Sequence, residues 1–192
     1  ELCKISHECG ALFHTDAVQA VGHLKLDVHD LNVDLLSGSA HKFNGPKGIG
    51  FLYIRKGTRI QPYEDGGAQE FGMRAGTENV AAIVGMAIAL KNNLKIVESV
   101  HNKIDKMEKI ILELLSANNI DYIRNGSAPY IPGNLSLSFR GCEGEMLLHR
   151  LDLMGIMVST GSACDSENTA ISHVLQAIEA EMDYAVGTIR IT

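Results

Sequence analysis

Ser37-Gly38-Ser39-Ala40-His41-Lys42-Phe43-Asn44-Gly45-Pro46-Lys47-Gly48 sets one lysine among small polar residues, with a histidine before it and a Gly-Pro turn shortly after. In front of it Val33-Asp34-Leu35-Leu36 reads as a buried strand, and the stretch from Ile49 to Ile54 behind it reads as another. Lys42 then stands in a connection between two strands, where a rigid scaffold can present a side chain to a ligand. A lysine amine kept partly out of water can attack a carbonyl and form a Schiff base. Taken alone, these residues do not distinguish that role from an ordinary surface lysine.

Two flanking stretches sharpen the reading. Upstream, Phe13-His14-Thr15-Asp16-Ala17-Val18-Gln19-Ala20 places a carboxylate and an amide three residues apart. A helix starting near Asp16 puts both on one face of its first turn. A buried carboxylate there can keep a pyridine nitrogen protonated, which makes the ring an electron sink. The plainer role for such an aspartate is to cap the helix. Downstream, Val158-Ser159-Thr160-Gly161-Ser162-Ala163-Cys164-Asp165-Ser166 sets one cysteine in a run of small polar residues. Such a run reads as an exposed, mobile loop in which a thiol can be reactive rather than packed.

The chain has 192 residues, 45% of them hydrophobic, and a formal charge of −6. That length suffices for one sizeable domain, or for one partial and one small domain. The mild acidity gives no basis for nucleic-acid or membrane binding. No apolar run reads as approaching the roughly 20 residues of a membrane span, and no signal peptide opens the chain. Glu1 does not look like a natural beginning, so the missing signal carries little weight. Cys3, Cys9, Cys142 and Cys164 form neither a disulfide framework nor a C-x-x-C site, which makes a reducing, cytoplasmic setting the default. Cys3, His7, Cys9 and His14 are a poor zinc set, because a helical reading of the segment spoils their convergence. Cys142 reads as a structural thiol.

The remaining pattern alternates strands with helices. Residues 1–10 read as the end of a helix stopped by Gly10, followed by a strand over 11–14. Glycine-rich 65–76 reads as a long loop. Thr77 suits a helix cap, and apolar residues from Val80 to Leu115 recur at helical spacing, which predicts one long or broken helix over 78–116. Beyond it come a turn at 130–133, a strand over 134–139, a helix over 143–153 ended by Gly155, a short strand over 156–159, a helix over 171–180 and a final strand over 187–192.

Four motifs stand in a telling order: Thr15-Asp16-Ala17-Val18-Gln19, Ser39-Ala40-His41-Lys42 with Gly45-Pro46-Lys47-Gly48-Ile49-Gly50, Arg74-Ala75-Gly76-Thr77-Glu78-Asn79, and Gly161-Ser162-Ala163-Cys164. Together they resemble the cysteine desulfurases of the NifS/IscS type, class V aminotransferases that use pyridoxal 5'-phosphate on fold type I. The resemblance implies an α/β fold. Residues 1–96 would be the C-terminal half of the large cofactor-binding domain, with a mostly parallel sheet. A long helix would lead to a small α+β domain over 97–192, truncated at its end.

It also implies roles. Lys42 would carry the cofactor and then move protons. Asp16 would pair with the pyridine nitrogen, Gln19 with the phenolic oxygen, and Ser39 and His41 with the phosphate. Thr77 would reach the phosphate of the partner subunit in a homodimer. Arg190 would clamp the substrate carboxylate, a fork geometry that lysine lacks, although its alternation with Ile189 and Ile191 also fits simple exposure. Cys164 would take sulfur from L-cysteine as a persulfide, release alanine, and pass the sulfur to an acceptor such as an iron–sulfur scaffold protein. The family's phosphate loop, its ring-stacking histidine and an asparagine near the phenolic oxygen precede the first residue here, so the chain reads as a fragment. A selenocysteine lyase, or an inactive fragment serving as an acceptor-binding scaffold, are the competing readings.

Overall fold

The computed structural model describes residues 1–160 and 171–192, which divide into two units, Glu1–Glu98 and Ser99–Thr192. In the first unit, α1 (Leu2–Glu8) is followed by Gly10 at a φ of 73°, a left-handed stop that glycine takes at little cost. β1 (His14–Asp16) follows, then α2 (Val28–Leu31), whose capping Asp27 accepts from the His29 N–H. β2 (Leu35–Ser39), a 3₁₀ turn (Ala40–Phe43) and β3 (Gly50–Ile54) complete the sheet. Its order is β1-β2-β3, with β1 parallel to β2 and β3 antiparallel to β2.

The apolar side of this unit gathers on one cluster: Ala17, Val21, Val33, Leu36, Ala40 and Phe43. Met86, Ala89 and Leu90 of α3 (Val80–Ala117) pack against it. At the N-terminal end of the strands, buried Asp34 accepts from His7 Nε2 at 2.7 Å and from the Phe13 N–H at 2.8 Å, and faces Arg55 Nε at 3.6 Å. The His7 hydrogen bond and then the Phe13 amide hold its carboxyl below the usual range.

Four expectations change here. The strand begins at His14 rather than 11, and the helix expected at Asp16 is a single turn. Asp16 Oδ1 accepts from the Val18 N–H at 2.9 Å, a local bond that competes with helix, and Gly22 at a φ of 79° ends the turn. The cap of α3 is Asn79, not Thr77: its Oδ1 accepts from the Ala82 N–H at 3.2 Å. The 65–76 stretch is irregular apart from a 3₁₀ turn (Gln69–Gly72). The expected absence of a span-length apolar run also needs correcting. An 18-residue window of α3 reaches a mean hydropathy of 1.5, so this helix is long and apolar enough to cross a membrane by length and composition.

The second unit is built on β4 (Tyr122–Arg124), β5 (Leu135–Phe139) and β6 (Thr188–Ile191), in that order and antiparallel throughout. α4 (Gly144–Leu153) runs to Gly155 at a φ of 77°. The helix expected over 171–180 is instead α5 (His173–Ala177), broken by Glu179 at a φ of 54°, and α6 (Met182–Ala185) follows. The strand expected over 156–159 is reduced to one bridge, Ser159 with Arg190. Leu135, Leu137 and Ile189 are buried together with a polar seam. In that seam Ser138 Oγ lies 2.6 Å from Thr188 Oγ1, and Asn125 Nδ2 donates to Ser136 and Ser138 at 3.0 and 2.8 Å.

Candidate active site

Because β1 and β2 run parallel, Asp16 and Ser39 end their strands at the same edge of the sheet, with Asp16 level with Ser37. That edge is where α/β sheets offer ligands their turns and loops. The 3₁₀ turn after Ser39 carries His41 and Lys42, and its other two residues, Ala40 and Phe43, are fully buried. The turn is thus pinned from below while Lys42 stays half-buried and His41 exposed.

Close backbone packing fixes this turn. A Cβ at Gly22 would lie 2.5 Å from Phe43 Cβ, and one at Gly45 would lie 2.8 Å from Ala40 Cβ. The Gly45 N–H donates to the Ala40 carbonyl at 2.8 Å, and Asn44 takes a φ of 63° while its side chain donates to Asn93. His23 Nε2 reaches the Lys42 carbonyl at 2.6 Å. His23 was not singled out in the sequence, and nothing in its neighbours beyond the adjacent Gly22 marks it. Ser39 Oγ and His41 Nδ1 are 2.9 Å apart, and Ser37 Oγ meets His14 Nε2 at 2.8 Å.

The other candidates fall into three groups. Gln19 follows Asp16 by three residues in the single turn after β1, and both are exposed. Thr77 is exposed in the irregular segment two residues before the Asn79 cap. Arg190 belongs to the second unit, half-buried on β6 opposite Ser136 and bonded through its backbone to Ser159, with N–H to carbonyl distances of 2.6 and 3.0 Å. Its Nε is buried and has no hydrogen-bond partner among the described residues. Cys164 lies outside the described residues. At the other end of the first sheet, Cys3 Sγ donates to the Asn32 carbonyl at 3.0 Å and His7 is engaged by Asp34. Among the described residues no group of three or more His, Cys, Asp or Glu side chains is arranged to hold a metal.

A strand-to-strand lysine beside an acidic strand end, in an α/β unit that runs through a long helix into an α+β unit, defines a recognisable class. The family model for aminotransferase class-V matches residues 1–192, and the chain belongs to that family. Among curated relatives, the cysteine desulfurase IscS of Dictyoglomus turgidum is 47% identical over 193 residues, covering 100% of this chain and 49% of that protein. A NifS-like protein from Rickettsia africae superposes with a TM-score of 0.84 at 29% identity, over 100% of this chain and 50% of that one. A protein called SspA, solved in complex with cysteine, gives a TM-score of 0.77 at 33% identity, over 100% of this chain and 52% of that one. The chain spans about half the length of the relatives it matches.

Proposed function

We propose that this chain is the part of a pyridoxal-phosphate-dependent cysteine desulfurase that carries the cofactor lysine and the sulfur-accepting cysteine. The observation that carries the reading is Lys42, seated on a pinned turn at the sheet edge where Asp16 also ends its strand. The donor set suits a phosphorylated pyridine aldehyde. Asp16 offers a carboxylate for the ring nitrogen and Gln19 an amide for the phenolic oxygen, while Ser39 and His41 offer a hydroxyl and an imidazole for the phosphate. When bound, the cofactor supplies an electron sink that weakens bonds at the substrate's α and β carbons.

The chain's own groups do the rest. Lys42 would hold the cofactor through its side-chain amine and, once the substrate amine stands in its place, would take and return protons at the substrate carbon. Among the described residues the buried Arg190 Nε has no acceptor, and a substrate carboxylate held in a bidentate fork would supply one. The Cys164 thiolate forms a bond to the substrate sulfur as the carbon–sulfur bond breaks, so that cysteine and one thiol become alanine and one persulfide. L-cysteine as substrate draws support from the desulfurase relative and from the cysteine-bound SspA structure. In this reading Glu1–Glu98 is part of the large domain and Ser99–Thr192 is the small one. Thr77 serves the phosphate across a homodimer, and an acceptor protein such as an iron–sulfur scaffold removes the sulfur in the cytoplasm.

The test separates the two halves of the chemistry in the whole enzyme. Cys164→Ala is expected to keep the cofactor's visible absorbance and its change on adding cysteine, yet to release alanine at least about 10²-fold more slowly. Lys42→Ala is expected to lose turnover altogether. Unchanged alanine release in Cys164→Ala would exclude the persulfide step.

A further inference from the structure

The stretch that follows β1 is joined at three points to β2 and the turn that carries Lys42. The Ala17 N–H donates to the Ser37 carbonyl at 3.0 Å, next to the level pair of Asp16 and Ser37. Farther along, Gly22, at a φ of 79°, lies so close to Phe43 that no side chain fits between them. The third point is His23, whose Nε2 lies 2.6 Å from the Lys42 carbonyl oxygen. A carbonyl oxygen only accepts, so Nε2 carries the proton and donates. That carbonyl stands near the C-terminal end of the 3₁₀ turn, where helical carbonyls have no partner within their own turn. The backbone holds His23 in place: its N–H and that of Leu24 both donate to the Ala20 carbonyl, at 3.1 and 2.8 Å, and buried Val21 belongs to the Phe43 cluster.

We propose that His23 is a positioning residue for the cofactor, whose Nε2–H sets the Lys42 peptide plane, and with it the root of the lysine side chain, relative to Asp16 and Gln19. The inference rests on the proposed cofactor reading, in which Asp16 and Gln19 meet the pyridine ring while Lys42 meets the aldehyde carbon. A rigid ring gripped from two segments needs their spacing fixed before it binds. The apolar seat of Ala40 and Phe43 fixes the floor of the turn, but apolar contact is non-directional and does not specify the tilt of the peptide above it. A hydrogen bond is directional and does so. His23 is exposed, so its ring adds little to the core, and its contribution lies in the donor. A donor at that reach is what the position requires, not a charge. Glutamine supplies one, because its Nε2 stands the same number of bonds from Cα as histidine Nε2.

The test uses the whole enzyme loaded with pyridoxal phosphate and follows loss of its visible absorbance after transfer to cofactor-free buffer, with no cysteine present. His23→Phe keeps a flat ring and removes the donor, and is expected to release the cofactor about fivefold faster, the worth of one hydrogen bond. His23→Gln restores the donor and is expected to stay within about twofold of the unchanged enzyme. Should the phenylalanine variant fail to fold, His23→Leu, which also lacks a donor, takes its place. Release from the donor-less variant at the unchanged rate would overturn the proposal. So would release from His23→Gln as fast as from the donor-less variant, which would assign the effect to the ring and not to the N–H. Borohydride labelling of the unchanged enzyme separates this inference from the reading beneath it. A label on Lys42 together with release indifferent to His23 removes the positioning role alone, whereas a label on another lysine removes both.

Discussion

The turn that carries Lys42 and the strand that carries Arg190 are held in opposite ways. The first rests on apolar fit: Ala40 and Phe43 are fully buried, and Gly22 leaves no room for a side chain against Phe43. The second is laced by hydrogen bonds, with β6 tied to Ser136 on β5 and to Ser159, and with Thr188 joined to Ser138 and to the Ala185 carbonyl. An apolar seat tolerates little change of volume, and a polar seam little loss of partners. The difference suits the two tasks of the proposed function, in which Lys42 would be placed to within the reach of a bond and the Arg190 guanidinium would clamp a carboxylate through directional donors.

The comparison can be broken first at Phe43. Phe43→Ala leaves a cavity under the lysine turn and is expected to cost about 3–5 kcal/mol, read from the urea midpoint of unfolding. Thr188→Val keeps the volume and removes one hydroxyl from the polar seam, at an expected cost of about 1–2 kcal/mol, because Ser138 retains Asn125. If the valine variant lost as much as the alanine variant, the contrast between the two seats would be wrong.

The smallest effect concerns pH. The Asp34 carboxyl is held below its ordinary range by the His7 hydrogen bond and the Phe13 amide, so its contribution is present above the unfolded-state value of about 3.9 and fades as pH falls through the lower folded value. Asp34→Asn is therefore expected to flatten the acid side of the stability profile below about pH 4. A profile identical to that of the unchanged protein would remove Asp34 from the account.

What the sequence revealed follows from where one level of physics decides. The long helix was legible because apolar positions from Val80 onward keep one period for ten turns' worth of chain, and β5 was legible from its alternation in Leu135-Ser136-Leu137-Ser138. The lysine turn was legible as a strand connection because glycine and proline punctuate it. Asp16 misled because a carboxylate that can cap a helix can equally bond Val18 and hold a lone turn. Thr77 misled because the better cap, Asn79, stands two residues on and directly precedes the apolar run. β4 has three residues and α2 has four, too short for any period to register. His23 serves through a contact to the Lys42 carbonyl, which no local pattern encodes.

The central claim is that Lys42 is the residue that holds the cofactor, and borohydride reduction of the whole, pyridoxal-phosphate-loaded enzyme addresses it most directly. Reduction makes the link between lysine and cofactor permanent, and peptide mass mapping then locates it. The account predicts the added mass on the peptide containing Lys42, and its loss in Lys42→Ala. Added mass on Lys47, Lys25 or any other lysine would contradict it.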